Sequence, residues 1–423
     1  MNPLGRATVT ASDAELRDAL VAANIPTLLL VLAQLTGDRS WLEEPYRPSR
    51  TVAMDDNDTG GLPPDARDEI RAAALRVVGE WRDGHRELPE PPSGERLIEL
   101  LSISLGERVP AEYAGAMAED GGFRPAAALT AGPMRGNPRV LVIGAGISGV
   151  SMAVALRRLG VSFTVVEKNE AVGGTWLENA YPGAGVDTPS HLYSFSFAPN
   201  PGWSRYYAKQ PEILSYLRRV ARDEDLLGCI RFGTEVLSAV WDDATSTWEV
   251  VTSTRGGAPE RHVVDVLISA VGQLNRPAVP ELPGLDRFPG PAFHTARWDH
   301  RVDLAGKRVG VVGTGASAVQ VVPAIADVAG ETVVFQRSPQ WVSPNANYLR
   351  EVDPRTRLLM EQVPYYRTWY RLRLMWMFQD KLHPTLRKDP DWAHPRRSLN
   401  ATNDRHRAFF TKYLTSQLAG REE

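Results

Sequence analysis

The sequence predicts an α/β protein with two dinucleotide-binding, Rossmann-like domains that follow a small all-helical N-terminal domain. The α/β part is predicted by two similar patterns, one at Gly144 and one at Gly313. In each, an apolar strand is followed by a glycine-rich loop and then by a helix. Apolar residues at helical spacing, separated by proline-rich breaks, predict that residues 1–120 are helical. A chain of 423 residues also exceeds what one hydrophobic core supports, so several domains are expected.

The composition limits the classes of function. The net charge is only -3 and basic residues are spread along the chain, which excludes the charge pattern of a nucleic-acid binder and favours a small-molecule ligand. The single cysteine, Cys229, excludes an internal disulfide framework and is typical of a reducing compartment. The apolar run at 28–33 is too short to span a membrane. We therefore expect a cytoplasmic protein with no membrane segment and no metal site.

Four helices are predicted in the N-terminal domain. Ser12 and Glu15 form a capping-box pattern before the first helix, and Pro26 is placed to open the second. A third helix is expected to end near Trp81, and a fourth covers residues 97–103. We expect these helices to serve packing or association of the chain into a homodimer.

The first glycine-rich loop has the pattern G-x-G-x-x-G, formed by Gly144, Gly146 and Gly149. In such a loop the first glycine permits a tight turn, the second lets the backbone approach a pyrophosphate, and the third allows close contact between helix and strand. The N-terminus of the following helix offers free N–H groups to phosphates. Glu167 ends the next strand, where an acidic side chain accepts a hydrogen bond from a ribose hydroxyl. These features together predict a dinucleotide site.

A second loop of the same kind follows the strand that starts at Arg308. Its candidate nucleotide-binding residues are Gly313, Thr314, Gly315 and Ser317, with alanine in place of the third glycine. Gln320, on the first turn of the next helix, is expected either to contact the nucleotide or to cap the turn.

The end of the following strand predicts which nucleotide the second loop binds. Gln336 lies 23 residues after Gly313 (336 − 313), the same spacing as Glu167 after Gly144 (167 − 144), so the acid that would repel a 2′-phosphate is absent. Arg337 can form a bidentate, charge-assisted pair with such a phosphate, and Ser338 can add a hydroxyl group. The sequence therefore predicts NADPH rather than NADH.

The segment 288–299, between the two loops, matches the pattern F-x-G-x-x-x-H-x-x-x-W-[P/D]. Its fixed positions are Phe288, Gly290, His294, Trp298 and Asp299. This pattern resembles the fingerprint of Baeyer–Villiger monooxygenases, and related flavin enzymes that oxidise nitrogen or sulfur usually lack its Trp-Asp ending. The resemblance implies that His294 takes part in conformational coupling between domains, although an architectural role is also open.

A second motif of the same family follows Glu167 and favours FAD as the first cofactor. The pattern [A/G]-G-x-W-x-x-x-x-[F/Y]-P-[G/M]-x-x-x-D is complete, and the candidate residues in it are Gly174, Thr175, Trp176 and Asp187. Glycines let the backbone pass close to a flat flavin ring, and the aromatic residues offer apolar walls. By resemblance, Asp187 lies near the flavin and nicotinamide rings and orients a catalytic arginine.

The resemblance implies a complete reaction. NADPH reduces FAD, the reduced flavin and O2 form a C4a-peroxyflavin, and one oxygen atom enters next to the carbonyl group of a ketone substrate. Two alternatives stay open: oxygenation of nitrogen or sulfur by the same chemistry, and an inactive nucleotide-binding fragment.

The family's catalytic arginine, in a Gly-Lys-Arg type segment, has no match in this sequence. No strands that would complete the two nucleotide-binding domains are predicted after Arg337, so we expect the chain to be truncated at its C-terminal side. The helical N-terminal extension resembles that of the 4-hydroxyacetophenone monooxygenase type.

The predicted domains follow from these segments. They are a helical extension (1–120), a linker (121–137), an FAD-binding domain (138–287), the fingerprint (288–299) and an incomplete NADP-binding domain with the start of a helical insertion (300–423).

Overall fold

The computed structural model describes residues 9–50, 57–87, 89–124, 136–378 and 380–420. The helices are α1 Asp13–Val21, α2 Ile25–Thr36, α3 Pro64–Arg82, α4 Gly94–Leu105, α5 Ala114–Asp120, α6 Ile147–Arg158, α7 Thr175–Glu178, α8 Gln210–Asp223, α9 Ala316–Ile325, α10 Pro354–Gln362, α11 Tyr366–Phe378, α12 His383–Leu386 and α13 Ala401–Gln417. The strands are β1 Val140–Ile143, β2 Phe163–Val166, β3 Ile230–Arg231, β4 Thr234–Asp242, β5 Thr247–Thr254, β6 Glu260–Val264, β7 Val266–Ser269, β8 Arg308–Val312 and β9 Glu331–Phe335.

The described residues form two compact units. A helical unit takes those within Met1–Ala128, Asp187–Tyr207 and Trp341–Glu423, and a sheet unit takes those within Leu129–Val186 and Ala208–Gln340. This grouping differs from the predicted domains, since it separates residues 341–423 from the second loop and joins them to the N-terminal helices. Residues 125–135 of the predicted linker lie outside the described part of the chain.

The sheet unit is built on parallel strands, as the two strand-loop-helix patterns predict. A four-stranded parallel sheet has the order β3-β2-β1-β7, and β8 pairs with β9 in a separate parallel pair. Strands β4, β5 and β6 form an antiparallel sheet. Leu141 and Val166 of the parallel sheet pack with Val250 and Val264 of the antiparallel sheet, so one apolar cluster joins the two. The fold is therefore the α/β fold that the sequence predicts.

One strand expectation is wrong. The run of residues 263–271 predicts a single strand, whereas the structure divides this region between β6 and β7 at Asp265. The Asp265 carboxylate accepts a hydrogen bond from the backbone N–H of Arg139 (2.7 Å) and pairs with the Arg139 guanidinium (2.8 Å). These bonds hold the point where the chain leaves the antiparallel sheet and enters the parallel sheet beside β1, which an apolar run does not reveal.

The helices of the helical unit begin as the sequence predicts. Ser12 Oγ accepts a hydrogen bond from Glu15 N (3.3 Å), and the Glu15 carboxylate accepts one from Ser12 N (2.8 Å), so the capping box before α1 is confirmed. Asn24 caps α2, which has Pro26 in its first turn. Helices α3 and α4 correspond to the third and fourth predicted helices. Among the described helices, none is long and apolar enough to cross a membrane.

Helix α11 packs against the N-terminal helices. It contacts both α2 and α4, and most of its side chains are buried. Trp369 Nε1 donates to Gln34 Oε1 of α2 (2.7 Å), and the Arg373 guanidinium donates to the carbonyl oxygen of Ser104 in α4 (2.6 Å). The buried side chains make α11 a core helix of the helical unit. Its partners are more than 250 residues away in the chain, so periodicity alone could not identify them.

A buried histidine lies beside α11. His191 is 4% exposed, its ring meets Tyr370 edge-on, and neither ring nitrogen has a hydrogen-bond partner within the described part of the chain. Arg371 donates to the carbonyl oxygen of His191 (2.9 Å) and pairs with Asp120 (2.7 Å). Burial lowers the pKa of His191 to about 4, and the charges of Arg367 and Arg371 act in the same direction. His191 is therefore neutral in the folded protein at pH 7.

This neutral histidine should make stability depend on pH. The unfolded chain binds a proton at His191 near pH 6.5 and the folded chain only near pH 4, so stability should fall as the pH drops from 6.5 to 4, by about 3 kcal/mol at most. Above pH 6.5 the residue contributes no pH dependence. We expect His191→Phe to remove this part of the slope, measured by urea unfolding at several pH values.

His383→Gln removes an exposed histidine and keeps His191, so this variant should still lose stability between pH 6.5 and 4. A His191→Phe variant with the native slope between pH 4 and 6.5 would contradict the buried, neutral state of His191.

Candidate functional site

The first glycine loop leaves no room for side chains. Gly144 has a φ of +101°, and a Cβ there would lie 2.7 Å from the carbonyl oxygen of Ala270. A Cβ at Gly149 would lie 1.8 Å from the carbonyl oxygen of Gly144. Gly146 is the N-cap of α6 and has no side chain to cap the first N–H groups, which are free to bind an anion. The packing of the loop therefore requires glycine at 144 and 149, whereas a Cβ at Gly146 would lie 3.4 Å from the Cα of Gly174, an ordinary van der Waals distance.

Glu167 supports this loop from the end of β2. Its side chain is buried, and Oε2 accepts a hydrogen bond from Ala145 N (2.7 Å). Oε1 accepts from both the backbone N–H and the side-chain amide of Asn169, each at 2.8 Å. A carboxylate offers about four acceptor positions, so these three bonds leave capacity for a further donor such as a ribose hydroxyl. The predicted acid is thus in place at the predicted loop.

The second family motif also packs on the first loop. Gly174 has a φ of +51°, and a Cβ there would lie 2.8 Å from the Cα of Gly146. Gly173 N donates to the carbonyl oxygen of Ala145 (3.1 Å). The sequence analysis attributes these glycines to the approach of a flavin ring, but the contact that the structure requires of Gly174 is with Gly146. Thr175 is exposed at the start of α7, and Trp176 is buried.

The second glycine loop has more space around its glycines than the first loop has. Gly313 has a φ of +108° and donates to the carbonyl oxygen of Phe335 (2.9 Å), while Gly315 is the N-cap of α9. A Cβ at either glycine would meet nothing within 4 Å. Ser317 lies on the first turn of α9 and is half-buried.

The region after β9 keeps an arginine free. Thr314 Oγ1 and Gln336 Nε2 both donate to the carbonyl oxygen of Ser338 (3.4 and 3.0 Å), which joins the loop to the strand end. Arg337 is exposed, and no described residue forms an ion pair or hydrogen bond with its guanidinium. The arginine is therefore available to an anionic ligand at this strand end.

Gln320 forms contacts that its sequence position did not indicate. Its Oε1 accepts from the Tyr181 hydroxyl and its Nε2 donates to the carbonyl oxygen of Gly185, both at 2.8 Å. A Cβ at Gly183 would lie 2.4 Å from the carbonyl oxygen of Gln320. The side chain thus holds α9 against the loop 181–185 rather than capping its own turn, and a contact with nucleotide stays a prediction.

The fingerprint is held by local bonds and one apolar anchor. His294 Nδ1 accepts from Ala296 N (3.0 Å), so the ring caps the short turn Thr295–Arg297, which favours the architectural role that the sequence left open. Trp298 packs against the cluster of Tyr181, Ala184, Val321 and Ile325. Asp299 pairs with Arg301 (2.8 Å), and this hydrogen bond lowers the pKa of the Asp299 carboxyl to about 2.

Asp187 does not belong to the unit that contains the other candidate residues. It begins the segment Asp187–Tyr207 of the helical unit, is exposed, and has no hydrogen-bond or ion-pair partner among the described residues. Its predicted active-site role stays a prediction. In the described residues no group of His, Cys, Asp and Glu could hold a metal ion.

Three residues that no sequence pattern singles out connect the first loop to the fingerprint. Asn169, Glu178 and Arg297 join Glu167 to the turn at His294 through a series of polar contacts. Glu178 occupies a variable position of its motif and Arg297 a variable position of the fingerprint, so neither pattern singles them out.

The comparisons with known proteins agree with this arrangement. Residues 137–363 match the family model described as flavin-binding monooxygenase-like. Over 96% of its length the chain is 46% identical to an uncharacterised monooxygenase, y4iD, of Sinorhizobium fredii, and it covers 61% of that protein. Over 60% of its length it is 45% identical to a Baeyer–Villiger monooxygenase of Streptomyces coelicolor, of which it covers 47%.

A solved structure resembles part of the chain. A cyclohexanone monooxygenase with bound ε-caprolactone is 39% identical to it, with a TM-score of 0.50 over 55% of this chain and 45% of that one. The chain thus spans about half the length of the relatives that it matches.

The fold and the two glycine loops define an α/β protein with two sites of the dinucleotide-binding type. The match covers more than half of the chain and includes both loops and the fingerprint between them. The chain belongs to the flavin-binding monooxygenase-like family.

The tight packing of the first loop can be tested without any ligand. We expect Gly149→Ala to lower the free energy of unfolding by about 1–3 kcal/mol, because the added methyl group would overlap the Gly144 carbonyl oxygen. Thermal and chemical unfolding followed by circular dichroism measure this change. Gly228→Ala is the control: a Cβ there meets nothing within 4 Å, so the change should stay within about 0.5 kcal/mol. Equal stability of the two variants would contradict the packing described for the loop.

Proposed function

We propose that the chain binds FAD at the first loop and NADPH at the second, and that it forms part of a monooxygenase that inserts one oxygen atom of O2 next to a ketone carbonyl. The observation that carries this proposal is the asymmetry between the strand ends. The first loop is followed by the buried carboxylate of Glu167, and the second is followed by Gln336 and a free Arg337. Two different dinucleotides fit this pair of sites better than one.

The residues around the first loop fit FAD. Gly144 and Gly149 permit the tight turn before α6, and no side chain caps the start of this helix at Gly146, where the pyrophosphate would be held. Glu167 has acceptor capacity for the adenosine ribose. Gly174, Thr175 and Trp176 belong to the motif that packs on the first loop. They would contact the part of FAD that leads to the flavin ring.

The residues around the second loop fit NADPH. Gly313, Gly315 and Ser317 would contact the pyrophosphate at the start of α9, with Thr314 supporting the loop. Arg337 would pair with the 2′-phosphate and Ser338 would add a hydrogen bond. The cofactor role of Gln320 would then be indirect, through the position of α9.

Bound FAD supplies the redox chemistry that activates O2 with electrons from NADPH. One ketone, one O2, one NADPH and one proton give one ester or lactone, one water and NADP⁺. This chain's residues would hold and orient the two nucleotides. Asp187 is proposed to orient the catalytic arginine, and His294 to take part in conformational coupling between the domains. The complete fingerprint, together with relatives named as Baeyer–Villiger monooxygenases, favours ketones over amines or thioethers.

We further propose that the active enzyme is a longer protein of the 4-hydroxyacetophenone monooxygenase type, of which this chain is the N-terminal part. Among the described residues, strands β8 and β9 pair only with each other, and Val312, Val334 and Phe335 are exposed on them. Parallel strands are normally covered on both faces. Further strands would cover these residues and could supply the catalytic arginine. We also propose a cytoplasmic location and association through the N-terminal helices.

The choice of NADPH depends on one side chain. We expect Arg337→Gln to raise the Kd for NADPH by about 10- to 100-fold, because the charge-assisted pair with the 2′-phosphate is worth roughly 1.5–3 kcal/mol. The Kd for NADH should stay within about twofold, and titration calorimetry measures both. Arg218→Gln removes another exposed arginine of the sheet unit and should change neither value. An equal loss of NADPH and NADH affinity would refute the role of Arg337.

The proposed cofactor and the proposed reaction can be tested in two successive experiments. The purified 423-residue chain should be yellow, or should become so with added FAD, and should release about one FAD per chain on denaturation. A longer form that includes the proposed C-terminal part should then convert an aryl ketone to an ester with consumption of NADPH. A colourless chain that binds no FAD would refute the first step, and turnover of thioethers with none of ketones would favour the alternative reaction.

A further inference from the structure

A buried carboxylate lies between the first loop and the fingerprint. The side chain of Glu178, at the end of α7, is only 7% exposed. Its Oε1 accepts from Asn169 Nδ2 (2.9 Å) and pairs with Lys168 Nζ (3.0 Å), while its Oε2 pairs with the Arg297 guanidinium (3.2 Å). Burial by itself raises the pKa of the Glu178 carboxyl, but these partners outweigh it and the pKa lies below its usual value. The group is therefore charged and fully engaged near neutral pH.

These contacts extend in both directions. Asn169 Nδ2 also donates to Glu167 Oε1 (2.8 Å), and Glu167 Oε2 accepts from Ala145 N of the first loop (2.7 Å). On the other side, Arg297 N donates to the carbonyl oxygen of His294 (2.8 Å). The result is a continuous series of polar contacts from the fingerprint histidine to the backbone of the glycine loop. All of it lies in the sheet unit.

We propose that Glu178 is a positioning residue that couples the fingerprint to the FAD site. Through Asn169 it orients the Glu167 carboxylate toward the ribose, and through Arg297 it holds the turn that His294 caps. Binding of the ribose and ordering of the fingerprint then favour each other, because coupling between two sites is reciprocal. This inference rests on the proposed binding of FAD.

A charged group suits this role because its two oxygens have different partners. Oε1 holds Asn169 on the loop side, and Oε2 holds Arg297 on the fingerprint side. A glutamine at 178 keeps an acceptor for Asn169 and loses the charge that attracts Arg297. Glu178→Gln therefore separates the two halves of the connection, whereas Glu178→Ala removes both.

The test measures FAD affinity in the full chain by fluorescence quenching. Glu178→Ala should raise the Kd for FAD about tenfold, and Glu178→Gln, which loses only the fingerprint side of the connection, about threefold. Arg297→Met should raise the Kd about threefold in the native background and have no effect when combined with Glu178→Gln. Arg301→Met, which breaks the neighbouring exposed pair with Asp299, should have no effect in either background. Thermal unfolding without FAD gives the folded fraction of each variant.

Hydrogen exchange gives a second readout that a merely structural role would not change. Binding of FAD should slow exchange of the backbone amides at 294–298 in the native chain and leave it unchanged in Glu178→Gln.

Equal effects of Arg297→Met in the two backgrounds, or identical exchange in the native and Glu178→Gln chains, would overturn this inference alone. If the native chain binds no FAD, the proposed function fails and this inference fails with it.

Discussion

The close approach of backbone segments at the first glycine loop is the constraint on which the sheet unit depends. The carbonyl oxygen of Gly144 occupies the space that a side chain at Gly149 would need, and Gly174 lies against Gly146. Ala145, between these glycines, donates to Glu167 and accepts from Gly173. The loop, β2 and the second family motif therefore form one tightly packed body, and no N-cap side chain bonds the first N–H groups of α6.

The second loop has nearly the same sequence and a different environment. Gly313 keeps the positive φ that the turn requires, but no atom of the described residues lies within 4 Å of a Cβ placed there or at Gly315. The helix that follows this loop, α9, is held by other contacts. Gln320 forms hydrogen bonds with Tyr181 and Gly185, and Trp298 packs against the apolar cluster that includes Val321 and Ile325 of α9. The two loops thus differ in their surroundings, since the first packs against its own backbone beside the buried Glu167 and the second leaves Arg337 exposed at the end of β9.

The helical unit depends on contacts between distant parts of the chain. Helix α2 is buried along nearly its whole length, which requires neighbours on all sides. Helices α3 and α4 supply two of them, and α11 supplies another through Trp369 and Gln34. The neutral state of His191 follows from the same packing, because burial beside two arginines disfavours its charged form.

The sequence by itself determined the local features: the capping box at Ser12, the strand-loop-helix units, the acid at Glu167 and its replacement by Gln336, and the fingerprint. These features can be predicted because each depends on one residue or a few neighbouring ones. A turn with positive φ favours glycine, and a ribose site favours an acid at a strand end, so both appear as short sequence patterns. Tertiary structure alone decided the break at Asp265, the partners of α11, the use of Gln320 and the connection through Glu178. Each depends on groups far apart in the chain that meet only after folding, and no short pattern records such a meeting.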